Sequence, residues 1–136
     1  MSLKIEQRET EGIMILDLKG PLTLGHGDLE LRDRLPGRNQ SGRVNIILNL
    51  QEVTRIDSTG LGTLVFGLAR LRKSGGRLAL VNLDRSHLEL FLLTRLSIAF
   101  EFFADEQDAV NSFFPGRKQN PFDVLSFVGQ PGAVEA

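Results

Sequence analysis

The chain has no cysteine, only two histidines and almost no charge surplus: 16 Lys and Arg stand against 17 Asp and Glu in 136 residues, a formal net charge of −1. Without cysteine, disulfides, thiolate catalysis and cysteine-ligated metals are excluded. The histidines, His26 and His87, lie far apart and have no His or Cys neighbours at metal-ligand spacing, so no metal site is expected. Interspersed charges of both signs leave no basic stripe for nucleic acid. The basic cluster Arg70, Arg72, Lys73 falls at an expected helix C-terminus, where it complements the helix dipole. Long apolar runs are also missing, and Met1 to Glu6 lacks the apolar core of a signal peptide. The expectation is a soluble, cytoplasmic protein without membrane insertion.

What is present suffices for one domain: 41% of the residues are hydrophobic. Leu3 and Ile5 alternate with Lys4 and Glu6, Glu11-Gly12 punctuates, and Ile13 to Leu18 follows, which reads as an antiparallel hairpin closed off by Gly20-Pro21. A polar loop with Thr23, Gly25, His26 and Gly27 leads into a short helix from Asp28 to Leu35, interrupted by Pro36-Gly37. Val44 to Leu50 is nearly continuous apolar, as in a strand buried on both faces. Leu61, Leu64, Val65, Leu68 and Leu71 then recur at helical spacing up to Gly75-Gly76. Arg77 to Leu83 reads as another strand, and Ser86-His87-Leu88-Glu89 has capping-box spacing ahead of a third helix. Ile98 to Phe103 is expected as a last strand and Asp105 to Phe113 as a last helix.

The expected fold is therefore α/β in the order β-β-α-β-α-β-α-β-α. It has a mixed, largely parallel sheet, an N-terminal antiparallel hairpin and helices packed against it. The domain is expected over residues 1–114. Residues 115–136 form a linker and a C-terminal tail of unknown role, in which Phe122, Val124, Leu125, Phe127 and Val128 make a small apolar cluster.

The most informative stretch is Arg55-Ile56-Asp57-Ser58-Thr59-Gly60-Leu61-Gly62, between the central strand and the second helix. Helix N-termini present unpaired N–H groups and the positive end of the dipole. A serine there has three available roles: it caps the helix, touches a phosphate or carries one. Three catalytic or nucleotide readings fit poorly. A dinucleotide fingerprint fails because Val65 holds the third glycine position and no second half follows. The P-loop-like run from Gly67 to Ser74 has Arg72 before its lysine and lies inside a helix. A triad of Ser58, His26 and an acid lacks the Gly-x-Ser-x-Gly elbow. Glu89, Glu101 and Glu106 read as solvated or dipole-complementing rather than as a catalytic pair. His87 reads as a surface residue, whereas His26 borders the Asp57-Ser58 loop if both loops share one sheet end.

Val53 to Gly62, the following helix, Gly75-Gly76 and the strand Leu78 to Leu83 together resemble the STAS domain of bacterial anti-sigma-factor antagonists. The likeness runs from about Leu3 to Phe114, and includes the Gly20-Pro21-Leu22-Thr23-Leu24-Gly25 loop and Leu93-Thr94-Arg95-Leu96. It implies a switch rather than an enzyme, with no cofactor. The unphosphorylated form binds an anti-sigma factor serine kinase, the kinase phosphorylates the serine matching Ser58, and a serine phosphatase resets it. Thr59 is the second acceptor candidate. Asp57, Ser58, Thr59, Gly60 and Leu61 would shape the docking surface, with Thr23 and Leu24 from the neighbouring loop. The sequence departs from the family pattern at Asn49, where an acidic residue is common, and at Arg55, where an apolar or aromatic one is. Two alternatives stand beside this reading: a STAS subunit of a stress-signalling or transporter-associated complex without serine phosphorylation, and, more remotely, a nucleotide-binding enzyme.

Overall fold

The computed structural model describes residues 2–35 and 44–118. Its elements are β1 (Lys4–Thr10), β2 (Ile13–Leu22), α1 (Asp28–Arg34), β3 (Asn45–Ile56), α2 (Ser58–Lys73), β4 (Arg77–Val81), α3 (Arg85–Leu93), a 3-10 turn (Leu96–Ile98), β5 (Glu101–Phe103) and α4 (Glu106–Asn111). Among the described residues the strands form one sheet in the order β1-β2-β3-β4-β5. The β1–β2 pair is antiparallel and the other pairs are parallel. This is the expected order and sheet type.

The hairpin closes over two residues, with Thr10 opposite Ile13. Glu11 and Gly12 both take positive φ, 51° and 83°, the sign that a two-residue turn with the strands' own twist demands. Gly20-Pro21 does not end β2, as expected from the sequence, but lies inside it. The register with β3 shifts between Asp17 and Lys19 and again between Gly20 and Pro21. At each shift β3 carries one residue more than β2, and Pro21, which has no N–H to donate, is accommodated at such an irregularity.

The same bulges explain why β3 runs to Ile56 rather than ending at Leu50. Leu50 and Val53 are both buried, with exposed Gln51 and Glu52 between them, so the alternation that marks a strand breaks there. Gln51 to Ile56, beyond the strand expected to end at Leu50, are therefore strand as well. The expected strand from Ile98 shortens instead. Ala99 N–H donates to the Leu96 carbonyl at 3.0 Å, which winds Leu96–Ile98 into a 3-10 turn and delays β5 to Glu101. The third helix begins at Arg85, not at Ser86. Its cap is Asp84, whose Oδ1 accepts from His87 N–H at 2.9 Å.

Alternate residues of each strand go to opposite faces. Leu16, Leu18, Ile46, Leu48, Leu50, Leu78 and Leu80 join a core with Leu31 and Leu35 by α1, Leu61, Leu64, Leu68 and Leu71 of α2, and Leu88 and Phe91 of α3. Ile13, Ile15, Ile47, Ala79, Val81 and Phe103 face the other way, onto Ala109 and Val110 of α4, with Phe113 and Phe114 against them. Where α4 leaves that second face open it turns polar. Arg8 donates to Asp17 at 2.7 Å and also pairs with Glu106, and Asn49 Nδ2 donates to Asp17 at 2.8 Å. Glu101 pairs with Arg77. Of the carboxylates considered as a catalytic pair, Glu101 and Glu106 thus serve as ion-pair partners on the sheet's second face. The interruption at Pro36-Gly37 and the tail from Gln119 lie outside the described residues.

Because β2 to β5 run in parallel, their C-terminal ends gather the loops before α1, α2 and α3. The opposite end carries the hairpin turn and the link from α3 to β5. Phe91 anchors the core below α3. It is fully buried, and Phe100 and Phe102 meet its ring edge-on with centroids 5.3 Å away. Phe91→Ala is expected to cost about 3–5 kcal/mol in chemical denaturation, through lost burial and an unfilled cavity. An effect below about 1 kcal/mol would mean that the ring cluster does not hold this end of the core.

Candidate functional site

The centre of the site is a carboxylate that joins two loops. Asp57 is the N-cap of α2, and its Oδ1 accepts from Gly60 N–H at 2.8 Å. Its Oδ2 accepts from Leu24 N–H at 3.0 Å, in the loop that follows β2. The Asp57 N–H also reaches the Leu22 carbonyl at 3.4 Å. One side chain thus starts the helix and clips the neighbouring loop to it. The hydrogen bonds from Gly60 and Leu24 favour the charged form and hold the Asp57 carboxyl below its ordinary range.

The β2–α1 loop is tied within itself as well. Gly25 N–H donates to Asp28 Oδ1 at 2.9 Å, His26 N–H donates to the Thr23 carbonyl at 3.0 Å, and the Thr23 hydroxyl meets His26 Nδ1 at 3.1 Å. Thr23 and Asp28 are buried by these contacts, while Leu24 is left 67% exposed beside the helix start. The two loops do share one sheet end, and His26 sits at its edge, bonded to Thr23 rather than to Ser58. His87, read from the sequence as a surface residue, is buried under the start of α3, with Nδ1 3.2 Å from Asp84 Oδ1.

Ser58 is the first residue of α2 and is exposed. Since Asp57 provides the cap, the Ser58 hydroxyl is not needed for it, and among the described residues it makes no side-chain hydrogen bond. Thr59 is half-buried. Gly60 and Leu61 lie beneath the surface and shape it from below. An added Cβ at Gly60 would stand 2.0 Å from the Leu22 carbonyl oxygen, so only glycine lets α2 start this close to β2. Leu61 is 6% exposed and belongs to the core. No acidic residue lies in the first turn of α2, while Arg70, Arg72 and Lys73 occupy its last turn. Asp57 is therefore the charge that complements the positive end of this helix.

Two apolar side chains outside the expected site residues are exposed on α1 and α2. Val65, expected in the buried stripe, is 38% exposed, and Leu29 of α1 is 65% exposed. Leu29 could have been found, because it lies off the face that Leu31 and Leu35 share. Gly62 is exposed, and a Cβ there would meet nothing within 4 Å. A glycine inside a helix costs about 1 kcal/mol relative to alanine, and among the described residues no contact demands one here.

With this geometry in hand, the comparisons are direct. The STAS domain model matches residues 4–109, and the chain belongs to the STAS domain family. It is 26% identical over 110 residues to the anti-sigma-B factor antagonist of Bacillus subtilis (strain 168), covering 81% of this chain and 99% of that one. Among solved structures it is similar to an anti-sigma-factor antagonist (STAS) domain protein from Planctomyces limnophilus, with a TM-score of 0.67 and 14% identity over 79% of this chain and 96% of that one. The Bacillus cell fate determinant SpoIIAA in its phosphorylated form gives a TM-score of 0.62 and 23% identity, covering 83% of this chain and all of that one (100%). At these identities the structural likenesses speak to the fold. Among the described residues no helix is long and apolar enough to cross a membrane, and no group of three or more His, Cys, Asp or Glu could hold a metal ion.

The double role of Asp57 sets a pH dependence. Its folded-state pKa is depressed, so its contribution is complete above the unfolded value of about 3.9 and is lost as pH falls through the lower folded value. Asp57→Asn keeps one oxygen to cap Gly60 but loses the charge and the acceptor for Leu24 N–H, and is expected to lower stability at pH 7 by about 1 kcal/mol. In thermal unfolding from pH 7 down to pH 2 (bounds set about the carboxylate range), the gap between the two proteins should close below about pH 4. A gap that stays constant across that range would mean the carboxylate's charge has no part in the clip.

Proposed function

We propose that this protein is an anti-sigma factor antagonist whose unphosphorylated form binds an anti-sigma factor serine kinase and which is released when Ser58 is phosphorylated. The observation that carries the reading is the division of labour at the helix start. Asp57 does the capping, and next to it stands an exposed serine hydroxyl with no structural bond to lose. A hydroxyl in that position is open to a kinase, and its modification leaves the helix cap in place. The anti-sigma-B factor antagonist relationship supports the partner class.

Phosphorylation would act through charge. A phosphate brings about −1.5 to −2 charges to a surface that already holds the Asp57 carboxylate. Within the free domain the N-terminal dipole of α2 offsets part of that repulsion, so the phosphorylated form stays folded. Inside an interface the phosphate must be desolvated beside a like charge, and a loss of about 3–4 kcal/mol weakens binding several-hundred-fold. The protein itself performs no chemistry in this scheme, the kinase supplies the phosphoryl group, and a serine phosphatase reverses the step.

Incubation with the cognate kinase and ATP, followed by peptide mass spectrometry, should place a single phosphate on Ser58. Ser58→Ala should bind the kinase as the unmodified protein does, whereas Ser58→Asp should bind at least about tenfold more weakly. Phosphate on Thr59 alone, or equal affinities for the two variants, would overturn the assignment of the switch to Ser58.

A further inference from the structure

The two most exposed large apolar side chains among the described residues lie far from Ser58, on the link between α3 and β5. Leu93 closes α3 at 80% exposure, and Ile98 ends the 3-10 turn at 90%. The link that carries them is firmly held. Arg72 of α2 donates to the Ala99 carbonyl at 2.7 Å, and Arg95 N–H donates to the Leu92 carbonyl at 3.0 Å. Leu96 and Ala99 pack against the core beneath. A fixed backbone thus holds Leu93 and Ile98 outward, at the end of the sheet that the proposed switch does not use.

The described chain also ends at this end of the sheet, and a run of contacts leads from its last residue to the link. Asn111 Nδ2 donates to the Lys118 carbonyl at 3.2 Å. The neighbouring Ser112 carbonyl accepts from Arg77 at 2.9 Å, and the same guanidinium donates to Glu101 at 3.1 Å, three residues beyond Ile98. Arg117 is held by Glu11 at 2.7 Å and lies over the Phe114 ring at 4.2 Å, so the point of exit is fixed. The run from Phe122 to Val128 follows, with five apolar side chains in seven residues, outside the family match that ends at residue 109. At about 3.3 Å per residue the chain spans up to about 13 Å from Lys118 to Phe122 and about 33 Å to Val128. By the same measure Ile98 lies within about 10 Å of Glu101. We infer that Phe122–Val128 docks on the α3–β5 link of its own chain and covers Leu93 and Ile98. A tether this short keeps the segment at about millimolar effective concentration, which favours it over a second copy at micromolar protein. The inference does not depend on the proposed function, and it leaves the Ser58 face open.

The test uses the full chain and changes each side of the contact separately. Ile98→Asp and Phe127→Asp should each lower the melting temperature by about 3–6 °C, because each puts a charge into one buried contact. The double variant should lose little more than the larger single loss, since both changes remove the same interaction. In methyl NMR the Ile98 resonance should move when Phe122 or Phe127 is replaced by leucine, and should not change on tenfold dilution. A solvated isoleucine without a partner behaves otherwise. Melting shifts below about 2 °C, additive losses in the double variant, or an Ile98 methyl indifferent to the Phe122 and Phe127 changes would overturn the inference. If the Ile98 resonance changes on dilution and sedimentation shows a dimer, a second copy occupies the link and the inference is overturned as well.

Discussion

The structure turns on the Asp57 carboxylate. With one oxygen it receives the Gly60 amide and begins α2; with the other it receives the Leu24 amide and fixes the loop after β2. Neither bond alone would define a surface. Together they hold an exposed leucine, an exposed serine and a helix start in one arrangement, without using the serine. The close approach is possible because Gly60 leaves room for the Leu22 carbonyl. A capping interaction of ordinary strength thereby sets the geometry of the candidate site.

The two ends of the sheet are specialised by topology. Parallel strands deliver the loops before α1, α2 and α3 to one end, where capping aspartates recur: Asp57 before α2 and Asp84 before α3. The large core face beneath them is filled from all three helices, so the turn rests on a rigid base. The second face is smaller, and α4 covers its apolar part while Arg8, Asp17, Asn49 and Glu106 make the remainder polar. A switch of the proposed kind would change charge at a surface without disturbing the core below it.

Much of this was legible in the sequence because period and punctuation agreed. The hairpin, the buried runs at Ile46 to Leu48 and Leu78 to Val81, and the glycines closing α2 all carried unambiguous local signals. The misses have particular causes. Two bulges broke the alternation of β3 after Leu50, and Gly20-Pro21 looked like a stop although an irregular register absorbs it. Asp84 captured the cap of α3 ahead of the Ser86 box, because its carboxylate reaches His87 N–H. At the site, the motif identified Ser58 and Asp57 but not which of them was the cap. The buried positions of Gly60 and Leu61, and the openness above Gly62, depend on how close α1 and β2 come to α2. No spacing rule within a single segment contains that distance.

The account's central claim is that the helix start carries a charge switch whose structural duties are held by its neighbour. It is tested most directly by preparing the protein with phosphoserine at position 58 and comparing it with the unmodified protein. The paired readouts are the melting temperature and the affinity for the cognate anti-sigma factor kinase. The account predicts nearly equal melting temperatures and binding several-hundred-fold weaker for the phosphorylated form. Equal affinities, or a phosphorylated protein that no longer folds, would contradict it.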